Sequence, residues 1–120
     1  MAITLQSNAR NAACDAIAAL HDSGTLEFQT SGGVEVATVT FGATAFGAAS
    51  SGTATANTIS PDSSATGGTT TQFVTKTSAS AQILEGSVGT TGTDIIIDNT
   101  VVPAGVTVDL TAFSITIPAS

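Results

Sequence analysis

The chain has 120 residues, of which 42% are hydrophobic and only 9% are charged, whereas globular domains are typically about 25% charged. Two basic residues, Arg10 and Lys76, oppose nine acidic ones, which gives a net charge of −7. A phosphate backbone is bound through several Lys or Arg contacts, so this composition argues against binding to nucleic acid and to anionic membrane surfaces. The length predicts one domain over residues 1–120.

The cysteine count, the length of apolar runs and the aromatic content further restrict what kind of protein this can be. The single cysteine, Cys14, excludes an intrachain disulfide and favours a chain made in a reducing cytoplasm. No apolar run approaches the ~20 residues needed to cross a bilayer, and residues 1–20 lack the pattern of a secretory signal, so we expect a soluble protein. All five aromatic residues are Phe, which argues against an aromatic-lined ligand groove.

The first predicted element is a helix over residues 7–23, preceded by a candidate N-terminal arm at residues 1–6. Ser7 or Asn8 is expected to cap the helix, and Gly24 is expected to end it in the left-handed conformation. One stripe at helical spacing is apolar and mostly alanine: Ala9, Ala12, Ala13, Ala16, Ile17 and Leu20. Because these side chains are small, the stripe predicts close approach to a sheet or to an equivalent helix of another subunit.

Residues 25–117 have the pattern of short strands and turns. About seven strands at a spacing of roughly 8–12 residues predict a single antiparallel β-sandwich or barrel, so the predicted fold class is mainly β with one N-terminal α-helix. A change in the phase of alternation predicts a β-bulge near Ala37 or Thr38. A second change predicts another bulge at Thr111–Ala112.

The middle and later parts of the β region differ in regularity. Segment 42–68 is rich in Gly, Ala, Ser and Thr and is predicted to be a long surface loop or arm. Regular alternation then returns, and residues 71–77 and 81–88 are predicted to form a hairpin around Ser78-Ala79-Ser80. The continuous apolar triplet Ile95-Ile96-Ile97 predicts a strand that is covered on both faces.

Residues able to carry catalytic or metal chemistry are few and poorly spaced. The only His, His21, lies near the C-terminal end of the predicted helix, where it interacts favourably with the helix dipole. Cys14 and His21 would be separated by about 10 Å of helical rise, and zinc needs closely spaced Cys and His residues. We therefore predict structural roles for both side chains, and no catalytic residue, no metal site and no cofactor.

Acidic and glycine-rich segments also have structural interpretations. Asp94 and Asp98 on one strand would lie ~13 Å apart, too far to share one ion, and Asp62 with the serines that follow it fits a turn. With nine acidic residues in the chain, two carboxylates are expected to lie near each other by chance, so such a pair would not indicate glycoside hydrolysis. Segment 86–92 lacks the Lys of a phosphate-binding loop and is predicted to be a turn. Together these observations predict a protein without enzymatic activity.

Several segments resemble a group of short proteins encoded by tailed bacteriophages. The similar segments are Ser7-Asn8-Ala9-Arg10-Asn11-Ala12-Ala13-Cys14-Asp15-Ala16, residues 41–49, residues 52–57, residues 86–89, Asp94 and residues 115–120. The group is similar to virion structural proteins, above all to head decoration (cement) proteins, and it has no catalytic motif.

The resemblance implies a non-enzymatic protein that is made in the host cytoplasm and placed on the outer capsid surface of the virion. There it would bind the major capsid protein, stabilise the shell and form a homo-oligomer, a trimer. Residues 1–6 and segment 42–68 are the expected extensions, and residues 1–6 could add a strand to a capsid edge or a sister edge. Two alternatives remain open, a phage tail or head–tail component and a carbohydrate- or host-binding β module.

Overall fold

The computed structural model describes residues 3–119 and shows a mainly β chain with one helix. Helix α1 spans Ser7–Ala19 and is followed by a turn to residue 23. Within the described residues there are ten strands: β1 (Thr25–Gln29), β2 (Glu35–Phe41), β3 (Thr53–Thr55), β4 (Ile59–Ser60), β5 (Gly68–Thr69), β6 (Gln72–Lys76), β7 (Gln82–Gly89), β8 (Ile95–Ile96), β9 (Val101–Val102) and β10 (Ser114–Thr116). No helix in this part of the chain is long and apolar enough to cross a membrane.

Six of the strands form one curled, open sheet with the order β4-β2-β1-β6-β7-β8. Its strand pairs are antiparallel except for β7 and β8, which are parallel. Two small antiparallel sheets, β10-β3 and β5-β9, complete the β structure. The sequence prediction of a single antiparallel sandwich or barrel of about seven strands is not confirmed, because alternation along a strand contains no information about its direction or its partner.

The core lies against one face of the six-stranded sheet. Leu26 and Phe28 of β1 point to this face, as their spacing predicted, and Val39, Phe41 and Phe73 pack beside them. Cys14 and Ala18 of α1 and Ala54 and Ile115 of the β10-β3 sheet cover it. Full burial of a Leu or Phe side chain contributes about 1.5–3 kcal/mol, so these contacts fix the helix and the small sheet on the large one.

A hydrogen-bonded row of polar side chains crosses the opposite face of the sheet. Lys76 Nζ lies 3.0 Å from Glu27 Oε2 in an ion pair, and Gln29 Nε2 donates to Glu27 Oε1 at 2.9 Å. Gln72 Nε2 donates to Gln29 Oε1 at 3.0 Å and extends the row. Beneath these long side chains Val74 is only 3% exposed, so the row shields the centre of this face from water.

The first predicted β-bulge is confirmed. Phe28 pairs with Ala37 and Gln29 pairs with Glu35, so Val36 has no partner on β1. Val36 and Ala37 are consecutive and both fully buried, which regular alternation would not allow. The bulge therefore explains the phase change that the sequence shows.

The second predicted bulge, at Thr111–Ala112, is wrong. Both residues lie outside any strand. Val108 bridges to Asp62, whereas β10 pairs with β3. The phase change therefore marks a break between two segments with different partners.

Helix α1 begins at Ser7, as predicted, but its cap and its C-terminal end need correction. Gln6 is the N-cap residue and makes no side-chain capping bond. Asn8 lies inside the first turn, where its Oδ1 accepts from the N–H of Ala9 at 3.0 Å. At the other end, the left-handed residue is Ser23, with φ 57°, and not Gly24. Gly24 has a different role, since a Cβ added there would lie 2.1 Å from the carbonyl oxygen of Lys76. The helix stops at Ala19 because the chain must turn to enter the sheet at this close contact.

Segment 42–68 belongs to the packed body of the protein and is not a projecting arm. It is largely irregular, as predicted, but contains β3 and β4. Ala45, Phe46 and Ala54 within it are 6% exposed or less. Small residues favoured the prediction of a loop, but they also allow this segment to lie close against the helix.

Three further predictions about the later strands have different outcomes. The hairpin is confirmed, since β6 pairs with β7 across a turn in which Ser80 has φ 67°. Segment 86–92 is a turn only after Gly89, because residues 86–89 belong to β7. The strand at Ile95–Ile96 is not covered on both faces, because Ile96 is 64% exposed. This strand lies at the edge of the sheet, where only one face meets the core.

Candidate functional site

His21 is a fully buried part of the scaffold. Its Nδ1 lies 3.0 Å from the carbonyl oxygen of Ile17, and its Nε2 lies 2.9 Å from Thr75 Oγ1. A carbonyl oxygen only accepts, so Nδ1 carries the hydrogen, and in the neutral ring Nε2 accepts from the Thr75 hydroxyl. Thr75 Oγ1 in turn accepts from the backbone N–H of Leu84 at 3.1 Å. The ring thus connects helix α1 to β6 and β7.

The buried position of His21 also favours the neutral form of its ring. Burial lowers its pKa below the usual 6.5, because the imidazolium loses its hydration, while bonds to the Ile17 and Ala18 carbonyls and the charge of Asp22 act more weakly in the opposite direction. Phe41 and Phe46 contact the ring edge-on, each with a centroid 5.3 Å away. Both ring nitrogens of His21 have hydrogen-bond partners and the ring is enclosed by the core, so neither nitrogen faces a space where a substrate could lie.

Cys14 lies elsewhere in the core. The thiol is buried and unpaired, and its Sγ donates to the carbonyl oxygen of Ile115 at 3.4 Å. This contact links the helix to β10. The structure does not bring Cys14 and His21 together as a dyad in the part of the chain it describes, since each bonds to a different strand.

The acidic residues singled out in the sequence bond to backbone groups. Asp62 Oδ1 accepts from the Ser64 N–H, and its Oδ2 accepts from the Thr38 N–H, both at 2.9 Å, so the predicted turn at Asp62 is confirmed. Asp94 Oδ2 accepts from the N–H of Ser87 at 2.9 Å and from its hydroxyl at 3.2 Å, which fixes the connection between β7 and β8. Among residues 3–119, no three His, Cys, Asp or Glu residues are placed to hold a metal ion.

Helix α1 is held by polar side chains that sequence analysis did not identify. Four of them bond to backbone groups of neighbouring loops: Arg10 to the carbonyls of Ile117 (2.9 Å) and Ser51 (3.0 Å), Asn11 to the N–H of Gly52 (2.8 Å), Asp15 to the N–H of Ala49 (2.8 Å), and Asp22, just beyond the helix, to the N–H of Ala45 (2.9 Å). Hydrogen bonds to charged groups are about twice as strong as neutral ones. The clustering of charged and amide residues on the Cys14 side of the helix was the signal that could have revealed this.

Most of the predicted apolar stripe of the helix faces solvent. Cys14 and Ala18 are the buried residues of α1, whereas the alanines of the stripe are exposed and Leu20 is 52% exposed. Ile17, the remaining member of the stripe, is half-buried and packs against the core. The predicted inward contact therefore holds for Ile17 and is wrong for the alanines and Leu20. Contact with an equivalent helix of another subunit stays a prediction.

A groove of about 860 Å³ lies between β8 and the segment that leads into β10. We call it the β8–β10 groove. Five of its apolar lining residues are buried or half-buried: Phe73, Leu84, Ile95, Phe113 and Ile115. A smaller cavity of about 260 Å³ continues it toward β9, since both share Ile97, Asp98, Asp109 and Leu110.

Four exposed acidic residues line the β8–β10 groove: Glu85, Asp94, Asp98 and Asp109. The two basic residues of the chain lie elsewhere, because Arg10 bonds to loop carbonyls and Lys76 pairs with Glu27. The side chains of Asp98 and Asp109 make no hydrogen bond within residues 3–119. The groove thus combines an apolar lining with uncompensated negative charge.

Comparisons with known protein families, with curated proteins and with solved structures find nothing that matches this chain. The functional interpretation therefore depends on the geometry described above and on the resemblance in the sequence. Two surfaces stand out in that geometry, the exposed apolar stripe of α1 and the β8–β10 groove. Contiguous exposed apolar patches, unlike single exposed apolar residues, mark contacts with other proteins, and the stripe is contiguous because residues three and four apart are neighbours on a helix.

Proposed function

We propose that this protein is a non-enzymatic structural protein of a bacteriophage virion. It binds the major capsid protein on the outer capsid surface, stabilises the shell and acts as a homotrimer. The observation that carries the proposal is the solvent-facing part of the stripe, its four alanines and Leu20, which the fold leaves uncovered. The sequence resemblance to phage head decoration proteins supports the same role.

The stripe suits contact between equivalent helices. Its residues are mostly alanine, which lets two helices approach closely, since the distance between helix axes depends on the side chains at the contact. Leu20 at its end is 52% exposed and supplies a larger apolar group. The polar contacts of Arg10 and Asp15 hold the opposite side of the helix in place, so the stripe is presented on a rigid support.

The use of polar side chains supports a structural role. His21, Cys14, Asp62 and Asp94 all bond to groups of the scaffold. Such bonds stabilise the fold, because a buried polar group without a partner costs about 1–3 kcal/mol. A decoration protein needs this rigidity and needs no reactive group.

The sequence predicts a sandwich or a barrel, and in this proposal a partner in the assembly completes the open sheet. The six-stranded sheet ends at β8 with a free edge. Exposed sheet edges readily pair with other chains. A strand supplied by the major capsid protein would extend the sheet and close it further.

The copy number of the protein in purified virions, relative to the major capsid protein, tests the proposed location. We expect a ratio approaching one to one, measured by quantitative mass spectrometry with labelled peptides from both proteins. A few copies per particle would assign the protein to the tail or connector. Its absence from virions would refute the proposal and favour a host-binding module.

Sedimentation equilibrium tests the trimer and the stripe separately. We expect the Ala16→Glu variant to dissociate to monomers, because a charge would be buried in the helix contact. The matched control is Ala79→Glu, which adds the same charge at an exposed turn and should leave the trimer intact. A wild-type protein that is monomeric at high concentration would contradict this part of the proposal.

A further inference from the structure

We propose that the β8–β10 groove is a docking site for an extended segment of a partner protein in which apolar residues alternate with Lys or Arg. The inference goes beyond the proposed function, since it specifies the chemistry of the bound segment and holds for a partner inside or outside a virion. Three independent features of the groove support it: free backbone groups, an apolar lining and unpaired negative charge.

The backbone along the groove is available for pairing. Strand β8 is the last strand of the six-stranded sheet, and it lines the groove. On the other side, residues 109–112 lie outside any strand and make no backbone hydrogen bond to another described residue, although Leu110 is only 9% exposed. Because Asp109, Thr111 and Ala112 are exposed, their backbone groups are accessible to an added extended segment, as in β-strand addition.

The side-chain environment suits an alternating segment. Phe73, Phe113 and Ile115 line the groove, and Ile96 beside them is 64% exposed. Successive side chains of a strand point to opposite faces. One face of a docked strand would therefore cover these apolar groups, while long Lys or Arg side chains could reach the exposed acidic residues of the same lining.

Charge determines which partner fits. Glu85, Asp94, Asp98 and Asp109 line the groove, and neither Arg10 nor Lys76 is among its described lining residues. A second copy of this chain does not fit the groove, because both of its basic residues are engaged: Arg10 bonds to loop carbonyls and Lys76 pairs with Glu27. A segment with Lys or Arg would instead neutralise the acidic groups, which increases both the association rate and the specificity.

The dimensions of the groove set the length of the segment. Residues 109–116 line one side of it, and an extended chain of eight residues spans about 26 Å at ~3.3 Å per residue. The volume of about 860 Å³ lies within the range of ~300–1,000 Å³ typical of ligand sites. A segment of about eight residues therefore matches the groove.

A labelled octapeptide of alternating Val and Lys, capped at both ends, is the probe for a binding test by fluorescence anisotropy. We expect saturable binding that weakens as salt is raised from 50 to 300 mM, and chemical-shift changes at residues 95–98 and 109–116. An octapeptide of alternating Val and Glu is the control and should not bind. The Asp98→Asn/Asp109→Asn variant should bind the lysine peptide at least fivefold more weakly.

The Asp15→Asn/Asp22→Asn variant is the matched protein control. It removes the same charge away from the groove, and Asn keeps the side-chain oxygen that accepts from Ala49 and Ala45. It should bind the lysine peptide within twofold of the wild type. Ala112→Trp, at an exposed position on the groove, should block binding without unfolding the protein, as checked by circular dichroism.

Several results would overturn the inference. One is the absence of binding at millimolar lysine peptide, and another is equal binding of the glutamate peptide. Equal weakening by the two double variants would show non-specific charge attraction, and chemical-shift changes confined to other surfaces would place the site elsewhere. None of these results bears on the copy number in virions, so this inference and the proposed function can fail independently.

Discussion

Replacing Gly24 by alanine tests how the helix is joined to the sheet. A Cβ at this position would lie 2.1 Å from the carbonyl oxygen of Lys76 and 3.0 Å from that of His21, whereas real Cβ atoms essentially never approach closer than 3.0 Å. The backbone cannot easily move away, because the Gly24 N–H donates to His21 at 2.7 Å and its carbonyl accepts from Phe41 at 2.9 Å. The Gly24→Ala variant must therefore shift β1 relative to β6 by about 1 Å, or break one of these bonds.

The size of the effect follows from this geometry. Overpacking costs typically about 1–3 kcal/mol, and we expect a loss of about 3 kcal/mol or more because the obstacle is backbone and not a flexible side chain. A 120-residue domain has a free energy of unfolding of about 6–18 kcal/mol. The Gly24→Ala variant should therefore fold, but unfold at a clearly lower urea concentration.

Urea unfolding followed by far-ultraviolet circular dichroism measures this loss, since the chain has no Trp or Tyr. Two other glycines are matched controls. Gly32→Ala should cost almost nothing, because the nearest atom to the added Cβ is Thr30 Oγ1 at 3.8 Å. Gly92→Ala should cost about 1 kcal/mol, since its φ of +69° is unfavourable although no atom lies within 4 Å. Equal midpoints for Gly24→Ala and Gly32→Ala would refute the reasoning.

The remaining predictions concern His21 and Arg10. Burial lowers the pKa of His21 below 6.5 in the folded state, so the unfolded chain binds the proton more readily. The free energy of unfolding should therefore fall as the pH drops below about 6.5. Urea midpoints measured between pH 8 and 5 check this, and the same pH dependence in the His21→Phe variant would contradict it. Arg10→Met removes hydrogen bonds to the carbonyls of Ile117 and Ser51 and should cost about 1–3 kcal/mol in the same assay, whereas a cost near zero would show that the helix is held without them.

The alternation of apolar and polar residues predicted where strands occur more reliably than it predicted which strands pair. The hairpin β6–β7 and the bulge at Val36 follow from local rules of phase and turn composition, and the structure confirms both. The phase change at Thr111–Ala112 looks the same in the sequence, but there it separates two segments with different partners. Local pattern cannot distinguish these cases, because the segments on either side of Thr111–Ala112 pair with residues more than 40 positions away.

The same limit of local pattern explains why the sequence did not predict the buried face of the helix or the groove. A stripe of alanines predicted the buried face, yet Cys14 and Ala18 are buried instead, because Arg10 and Asp15 bond to loop backbone that only the folded chain brings near. The acidic groove also combines distant positions, from Glu85 to Asp109. None of its residues has a spacing in the sequence that indicates a common site.

The sequence by itself determined the mainly β composition, the single helix, the negative charge and several turns, because these depend on local propensities and on totals. Only the tertiary structure decided which helix face is buried, how the sheet is ordered and where the groove lies. These features depend on contacts between segments far apart in the chain. Their free energies come from packing and from hydrogen bonds to backbone groups, which amino-acid spacing does not encode.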